Sequence, residues 1–201
     1  VRLFSPEHGF TGTAAAGERV ADAIEPASGL PIVSLHGERS RPSPQDLAGL
    51  DALVVDLQDA GVRFYTYAGT LIECLEAAAE ADLELVVLDR PNPVNGWQIE
   101  GPLSPEPGAG QTPNTFVAYL PMPIRHGMTM GELARLYNEE RKIGADLTVI
   151  AMDGWKRDYW YDDTGLTWIN PSPNMRNLNQ ATLYPGIGAI EKPRNVQKRR
   201  F

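Results

Sequence analysis

Short apolar runs alternate with longer amphipathic stretches along this chain, and that alternation predicts a parallel α/β sheet. The apolar runs predict strands at residues 1–5, 31–35, 52–57, 83–88 and 146–151. Leu53-Val54-Val55 and Leu85-Val86-Val87-Leu88 are continuously apolar, as strands covered on both faces are. Helices fit between them. Ser43-Pro44-Gln45-Asp46 offers a cap followed by proline at the first helical position. Residues 67–81 are rich in Ala, Leu and Glu at helical spacing. Thr129-Met130-Gly131-Glu132 has the form of a capping box, with Met128 and Leu133 as a flanking hydrophobic staple, and predicts a helix over 130–142.

Between Arg90 and Met122 the pattern breaks. Prolines 91, 93, 102, 105, 107, 113 and 121 and glycines 96, 101, 108 and 110 predict a long loop, and a long loop in a compact domain is usually functional or disordered. Tyr184-Pro185-Gly186-Ile187-Gly188 lacks the third glycine and the preceding strand of a dinucleotide loop. The last ten residues hold Lys192, Arg194, Lys198, Arg199 and Arg200 without periodicity, and are expected to be a disordered basic tail.

Composition narrows the classes. Hydrophobic residues at 42% and charged residues at 22% are those of an ordinary globular protein, and no apolar run approaches the length of a membrane span. The chain opens at Val1 directly on a strand pattern, with no leader visible. With 18 Lys+Arg against 26 Asp+Glu, the formal net charge of −8 disfavours nucleic acid and anionic membranes as partners. A small anionic substrate held by local arginines remains compatible with it. The single cysteine, Cys74, lies in an apolar helical stretch and is expected to be a buried, inert thiol.

In open parallel sheets, ligands bind beyond the carboxyl ends of the strands. The first strand is followed by Ser5-Pro6-Glu7-His8-Gly9. The third is followed by Asp56-Leu57-Gln58-Asp59 and then Gly61-Val62-Arg63-Phe64-Tyr65-Thr66-Tyr67, and the fourth by Asp89-Arg90-Pro91-Asn92-Pro93. Taken singly, each has a structural reading: Asp56 or Asp89 caps a helix or turn, Arg63 pairs with Asp59, and His8 and His126 are satisfied loop histidines. Together they favour carboxylate acid–base chemistry. Glycoside hydrolysis needs one protonated carboxylic acid and usually a second carboxylate, and Glu7 and Glu100 are the candidate pair. Phe64, Tyr65, Tyr67, Trp97, Trp155, Trp160 and Trp168 are either sugar-stacking surfaces or core residues.

These segments resemble one family, the NamZ-type exo-β-N-acetylmuramidases, formerly a domain of unknown function. The matching blocks are Leu3-Phe4-Ser5-Pro6-Glu7-His8-Gly9-Phe10, Asp56-Leu57-Gln58-Asp59 with Arg63-Phe64-Tyr65-Thr66-Tyr67, and Leu88-Asp89-Arg90-Pro91-Asn92-Pro93. They continue with Glu100-Gly101-Pro102, Pro123-Ile124-Arg125-His126-Gly127-Met128-Thr129, Gly131-Glu132-Leu133-Ala134 and Pro171-Ser172-Pro173-Asn174-Met175. The resemblance implies an α/β fold with a Rossmann-like open, mostly parallel sheet and helices on both faces. It implies release of N-acetylmuramic acid from the non-reducing end of peptidoglycan fragments, without a cofactor, in the periplasm or outside the cell.

Glu7 matches the family's Pro-Glu-His-Gly glutamate and is the expected catalytic acid. Glu100 is the expected partner, with Asp56, Asp59 and Glu132 behind it. His8, Asp56, Gln58, Asp59, Arg63, Tyr65, Arg90, Asn92, Arg125 and His126 are the expected substrate contacts, with Arg63, Arg90 or Arg125 gripping the lactyl carboxylate. Residues 1–183 are expected to form the catalytic domain, short of the family's first strand and helix, and residues 184–201 the start of a truncated second domain. Two other readings stand beside this one. The first is a metal-dependent hydrolase using His8, His126 and Asp56 or Asp59. The second is a non-catalytic cell-wall sugar-binding remnant.

Overall fold

The computed structural model describes residues 1–104 and 121–188. The chain begins with β1 (Leu3–Ser5), which lies parallel to β3 (Pro31–Ser34) with Ser5 opposite Ser34. The two-residue β2 (Ala23–Ile24) runs antiparallel along the other side of β3. A second sheet of β4 (Ala52–Val55), β5 (Glu84–Leu88) and β6 (Leu147–Ile150) is wholly parallel, in the order β4-β5-β6. The parallel α/β class therefore holds, but the strands form two three-stranded sheets among the described residues. A groove of about 710 Å³ lies between β1 and β4, with Leu35, Thr70 and Cys74 among its lining residues.

Two helices build the core. The α2 helix (Thr66–Glu80) packs on β4, β5 and the α3 helix (Met130–Glu140), which in turn packs on β5 and β6. Leu71, Ile72 and Leu75 of α2 are fully buried, as are Leu85 and Val87 of β5 and Leu133 of α3. Alternate positions of β4 divide the same way: Leu53 and Val55 are buried with the helices, whereas Val54 between them is 56% exposed. The apolar runs that predict cover on both faces thus meet these two helices on one face; Val54, Leu88 and Ile150 are exposed. The Cys74 thiol is buried, and burial pushes its pKa up to about 12, which keeps it protonated and inert.

Local chemistry explains the helix starts. In α1 (Pro44–Leu47), the Ser43 side chain accepts from Asp46 N–H, and Asp46 Oδ2 accepts from Ser43 N–H at 2.9 Å. In α3, Thr129 Oγ1 accepts from Glu132 N–H at 3.2 Å, and Glu132 Oε2 accepts from Thr129 N–H at 3.0 Å. The α3 helix stops short of residue 142 because Lys142 takes a left-handed φ of 53°.

Besides β2, two elements lie outside the sequence expectation. A 3₁₀ turn (Tyr161–Thr164) follows β6, and α4 (Leu178–Ile187) is capped by Asn177 Oδ1 accepting from Gln180 N–H at 3.0 Å. The domain boundary drawn at residue 184 falls inside α4. The proline-rich segment closes on itself where it is described: Glu100 and Arg125 exchange backbone hydrogen bonds, and Ser104 N–H donates to Met122 O. The expected loop residues 105–120 and the expected basic tail lie outside the described residues.

Truncating a core side chain of α2 tests where stability resides. Leu71→Ala is expected to cost about 2–5 kcal/mol, through lost burial and an unfilled cavity. Urea unfolding followed by circular dichroism should show a lower midpoint at an unchanged slope.

Candidate active site

The parallel pairing of β1 and β3 sets up the site. Because Ser5 faces Ser34, Glu7 and His36 each stand two residues past their strand ends on one edge. The chain then turns sharply: His8 takes a φ of 73° and Gly9 one of 74°, and Gly9 N–H bonds back to Pro6 O. A left-handed histidine is a costly conformation that persists where its surroundings hold it. Here its Nδ1 donates to Ala14 O at 2.9 Å, since a carbonyl oxygen can only accept.

The Glu7 side chain is buried and fully engaged. Oε1 accepts from Gly17 N–H at 2.7 Å, and Oε2 accepts from Thr66 Oγ1 at 2.7 Å. His36 Nε2 stands 3.9 Å from Oε1. Thr66 is the first residue of α2, so the carboxylate sits at the positive end of a helix whose N-cap, Tyr65, provides no side-chain cap. Burial raises the Glu7 pKa, but the Gly17 and Thr66 hydrogen bonds and the nearby His36 and His8 outweigh it and hold the carboxyl below the ordinary glutamate range. This differs from the expected acid, which would have to be kept protonated.

The Glu7 side faces a cavity of about 200 Å³, lined also by His8, Phe64, Tyr65, Thr66 and Asn174. Tyr65 of its wall is held beside a second phenol, Tyr67, which lies outside the lining. Tyr65 and Tyr67 both donate to Pro171 O, at 2.8 and 2.9 Å, and Tyr67 also reaches Glu7 O at 3.3 Å. Their rings lie 4.7 Å apart. Burial pushes the Tyr67 pKa up to about 12 and that of Tyr65 higher still, so both stay neutral donors. Tyr65 is accordingly a wall of the cavity.

A second group lies at the ends of β4 and β5. Arg90 grips Asp56 with two hydrogen bonds, Nε to Oδ1 at 2.5 Å and Nη2 to Oδ2 at 3.0 Å, and both side chains remain partly open. They line a separate cavity of about 530 Å³ with Gln58, Tyr67 and Tyr161. Gln58 Nε2 donates to Asp59 O and Pro91 O, which pins the loop after β4 to the loop after β5.

The remaining expected contacts form an internal frame. Met128 N–H donates to His126 Nδ1 at 3.2 Å, so the neutral ring carries its proton on Nε2, which lies 3.3 Å from Asp59 Oδ2. The same Asp59 oxygen accepts from Gly61 N–H at 2.7 Å. Asn92 donates to Met128 O and accepts from Val94 N–H. Gly61 is required beside it, because a Cβ there would stand 2.3 Å from Asn92 Oδ1 at a φ of 76°. Arg63 does not pair with Asp59; its Nη1 donates to Pro102 O and Met122 O at 2.5 and 2.8 Å, holding the proline-rich segment. Arg125 is buried, bonded to Val94 O and to Glu100 Oε2, with its guanidinium 5.0 Å over the Trp160 ring.

The structure thus joins Glu7 with His8 and Tyr65, Asp56 with Arg90 and Gln58, and Asp59 with His126 and the frame around it. It does not bring Glu100 to the Glu7 cavity: that side chain is 62% exposed and tied to Arg125. Glu132 is occupied by its capping box and by Arg157, and Asp89 accepts from Thr129 Oγ1 and Gly131 N–H at 2.8 Å each. Among the described residues no three His, Cys, Asp or Glu side chains are grouped to hold a metal, so the metal-dependent alternative finds no ligand set there. Sequence reasoning missed Gly17, His36 and Thr66. His36 follows the apolar run at 31–35 and obeys the same strand-end rule that singles out Glu7; a backbone donor such as Gly17 leaves no side-chain signal.

A parallel α/β layer thus presents a buried glutamate among aromatic walls at its carboxyl edge, the place where open parallel sheets bind ligands. The comparison with known proteins is specific. The chain belongs to the family described as exo-β-N-acetylmuramidase NamZ, N-terminal, whose model matches residues 1–179. It is 47% identical over 190 residues to the peptidoglycan β-N-acetylmuramidase NamZ of Bacillus subtilis (strain 168), covering 94% of this chain and 44% of that protein. Two crystal structures of DUF1343 family proteins from Bacteroides fragilis NCTC 9343 are also similar. One is 40% identical with a TM-score of 0.83 and the other 38% identical with a TM-score of 0.75; each match covers 94% of this chain, and 47% and 48% of theirs. The chain therefore spans less than half the length of these relatives.

The lowered Glu7 pKa makes a stability prediction with a definite sign. A carboxyl whose folded pKa lies below its unfolded value of about 4.3 stabilises the fold above that pH, and the contribution is lost as pH falls through the folded pKa. Wild type is expected to exceed Glu7→Gln by roughly 1–3 kcal/mol at pH 7, with the gap shrinking below about pH 4. Urea unfolding of both proteins from pH 7 to 3 measures it.

Proposed function

We propose that this chain carries the catalytic glutamate of an exo-acting β-N-acetylmuramidase, which releases N-acetylmuramic acid from the non-reducing end of peptidoglycan fragments. The observation that carries the reading is Glu7: a buried carboxylate, oriented by two hydrogen bonds, facing an aromatic-walled cavity at the carboxyl edge of the sheet. The likeness to a protein named for this activity supports it. On this reading the substrates are muramyl saccharides derived from peptidoglycan, and the periplasm or the outside of the cell is the proposed compartment.

The lactyl carboxylate of such a substrate calls for a cation. Arg63 is spent on backbone carbonyls and Arg125 is buried in the frame, whereas Arg90 is partly open and carries N–H groups beyond the two that Asp56 uses. Arg90 is the arginine this reading assigns to the acidic group.

The test is release of chromophore from a chromogenic β-N-acetylmuramide, with the matching N-acetylglucosaminide as control and circular dichroism to establish folding. Release from the muramide, reduced at least a hundredfold in Glu7→Gln, is the expected result. Glu100→Gln, outside the cavity, is expected to cost less than about tenfold, because a group that does not approach the reacting atoms cannot transfer their proton. A folded protein that binds the muramide without releasing chromophore would support the sugar-binding reading and overturn the enzymatic one.

A further inference from the structure

Gly17, Thr66 and His36 converge on Glu7 from three separate segments: the loop after β1, the start of α2 and the turn after β3. The two carboxylate oxygens are dealt with separately. Oε1 meets a backbone N–H, which can only donate, with an imidazole nitrogen behind it. Oε2 meets the hydroxyl of the first residue of a fifteen-residue helix. A protonated Glu7 would have to place its hydrogen on one of these oxygens. On Oε1 it would face the Gly17 N–H. On Oε2 it would force the Thr66 hydroxyl to turn its own hydrogen elsewhere, at the positive end of α2.

We infer that Thr66 and His36 are positioning residues that keep Glu7 ionised and aimed into its cavity, so that Glu7 serves the reaction as the carboxylate and not as the proton donor. The inference rests on the reading of Glu7 as the catalytic glutamate. Thr66 supplies a hydroxyl at 2.7 Å, and its place at the first position of α2 adds the helix dipole in the same direction. His36 supplies charge. Its ring lies within 3.9 Å of Oε1 and is partly open to solvent, so it adds a positive neighbour whenever it is protonated.

The other titratable groups facing Glu7 are accounted for. The His8 ring is held through Nδ1 by Ala14 O, and it adds a weaker attraction from the same loop. Tyr65 and Tyr67 both direct their hydroxyls to Pro171 O, with the Glu7 carbonyl a longer contact of Tyr67, and both remain neutral. The site thus contains four groups that favour the ionised form, Gly17, Thr66, His36 and His8, and the two phenols do not compete for its side-chain oxygens.

The experiment is a ¹³C NMR titration of the glutamate side-chain carboxyls in the whole protein, with the Glu7 signal assigned by its loss in Glu7→Gln. Wild-type Glu7 should titrate below about 4.3. Thr66→Val should raise the midpoint by about one unit, Thr66→Ser should restore it, and His36→Gln should raise it by a few tenths. In the muramide assay, the acid limb of kcat/KM should move up with Thr66→Val and return with Thr66→Ser. A midpoint unmoved by both Thr66→Val and His36→Gln overturns the inference. So does a rate lowered equally at every pH, which is what a merely structural threonine would give. Should wild type release no chromophore, the enzymatic reading fails while the titration still decides the positioning role. If Thr66→Val does not fold, Thr66→Ala, which also removes the hydroxyl, and His36→Gln decide it.

Discussion

The hydrogen bond from Thr66 Oγ1 to Glu7 Oε2 spans 59 residues and fastens the loop after the first strand to the start of the main core helix. A buried carboxylate without donors would be expensive, and the rest of the site is arranged to prevent that. The left-handed His8 and Gly9 turn the chain so that Glu7 faces inward, and the Gly17 amide arrives from the far side of the same loop. Once Glu7 is fixed to α2, the Tyr65 and Tyr67 hydroxyls on either side of Thr66 have a defined direction, and they use it to hold Pro171. One carboxylate thereby sets the positions of the N-terminal loop, the helix start and the block at 171–175.

The polar residues beyond the strand ends divide into two populations with different physics. Asp59, Asn92, Arg125 and His126 are buried, and each is bonded to backbone or to another member of the group. Removing one partner would strand the others away from water, so these residues specify how the loops cross and leave little freedom for a ligand. Glu7, Asp56 and Arg90 face cavities and keep at least one side toward space a ligand could enter. Tyr67 links the two sides, since its side chain lines the Arg90 cavity while its hydroxyl lies 3.3 Å from the Glu7 carbonyl oxygen.

Much of this architecture was legible in the sequence. The continuous apolar runs located β4 and β5, the Ser43-Pro44 cap located α1 and the capping box at Thr129 located α3, because these signals are local. The short β2 was not, since Ala23 and Ile24 are exposed and carry no burial pattern. Nor was α4, which buries only Ala181 and contains Pro185. At the site, Glu7 was legible because it follows an apolar run, but its charge state was not. That depends on Gly17 and Thr66, and the meeting of those donors with this carboxylate is a tertiary fact. The three arginines show the same limit: identical in type and all within the blocks that carry the family resemblance, they separate only when the fold shows which have spent their donors.

The ionised Glu7 also changes what must be sought as its partner. Glycoside hydrolysis needs a proton for the departing oxygen, and a carboxyl held below the ordinary range is poorly suited to provide it at neutral pH. The expected division of labour, with Glu7 as acid and Glu100 as its partner, is therefore unsupported on both sides, since Glu100 stands exposed on Arg125 outside the cavity. What the arrangement supports is a carboxylate that stabilises developing positive charge or draws on a neighbouring nucleophile. A 2-acetamido substrate can itself supply such a nucleophile, and a fixed anion beside it would make that participation easier. The hydrogen bonds that leave Glu7 without a proton at neutral pH are the same ones that orient it as an anion, which is why the reading proposed above casts it as the carboxylate.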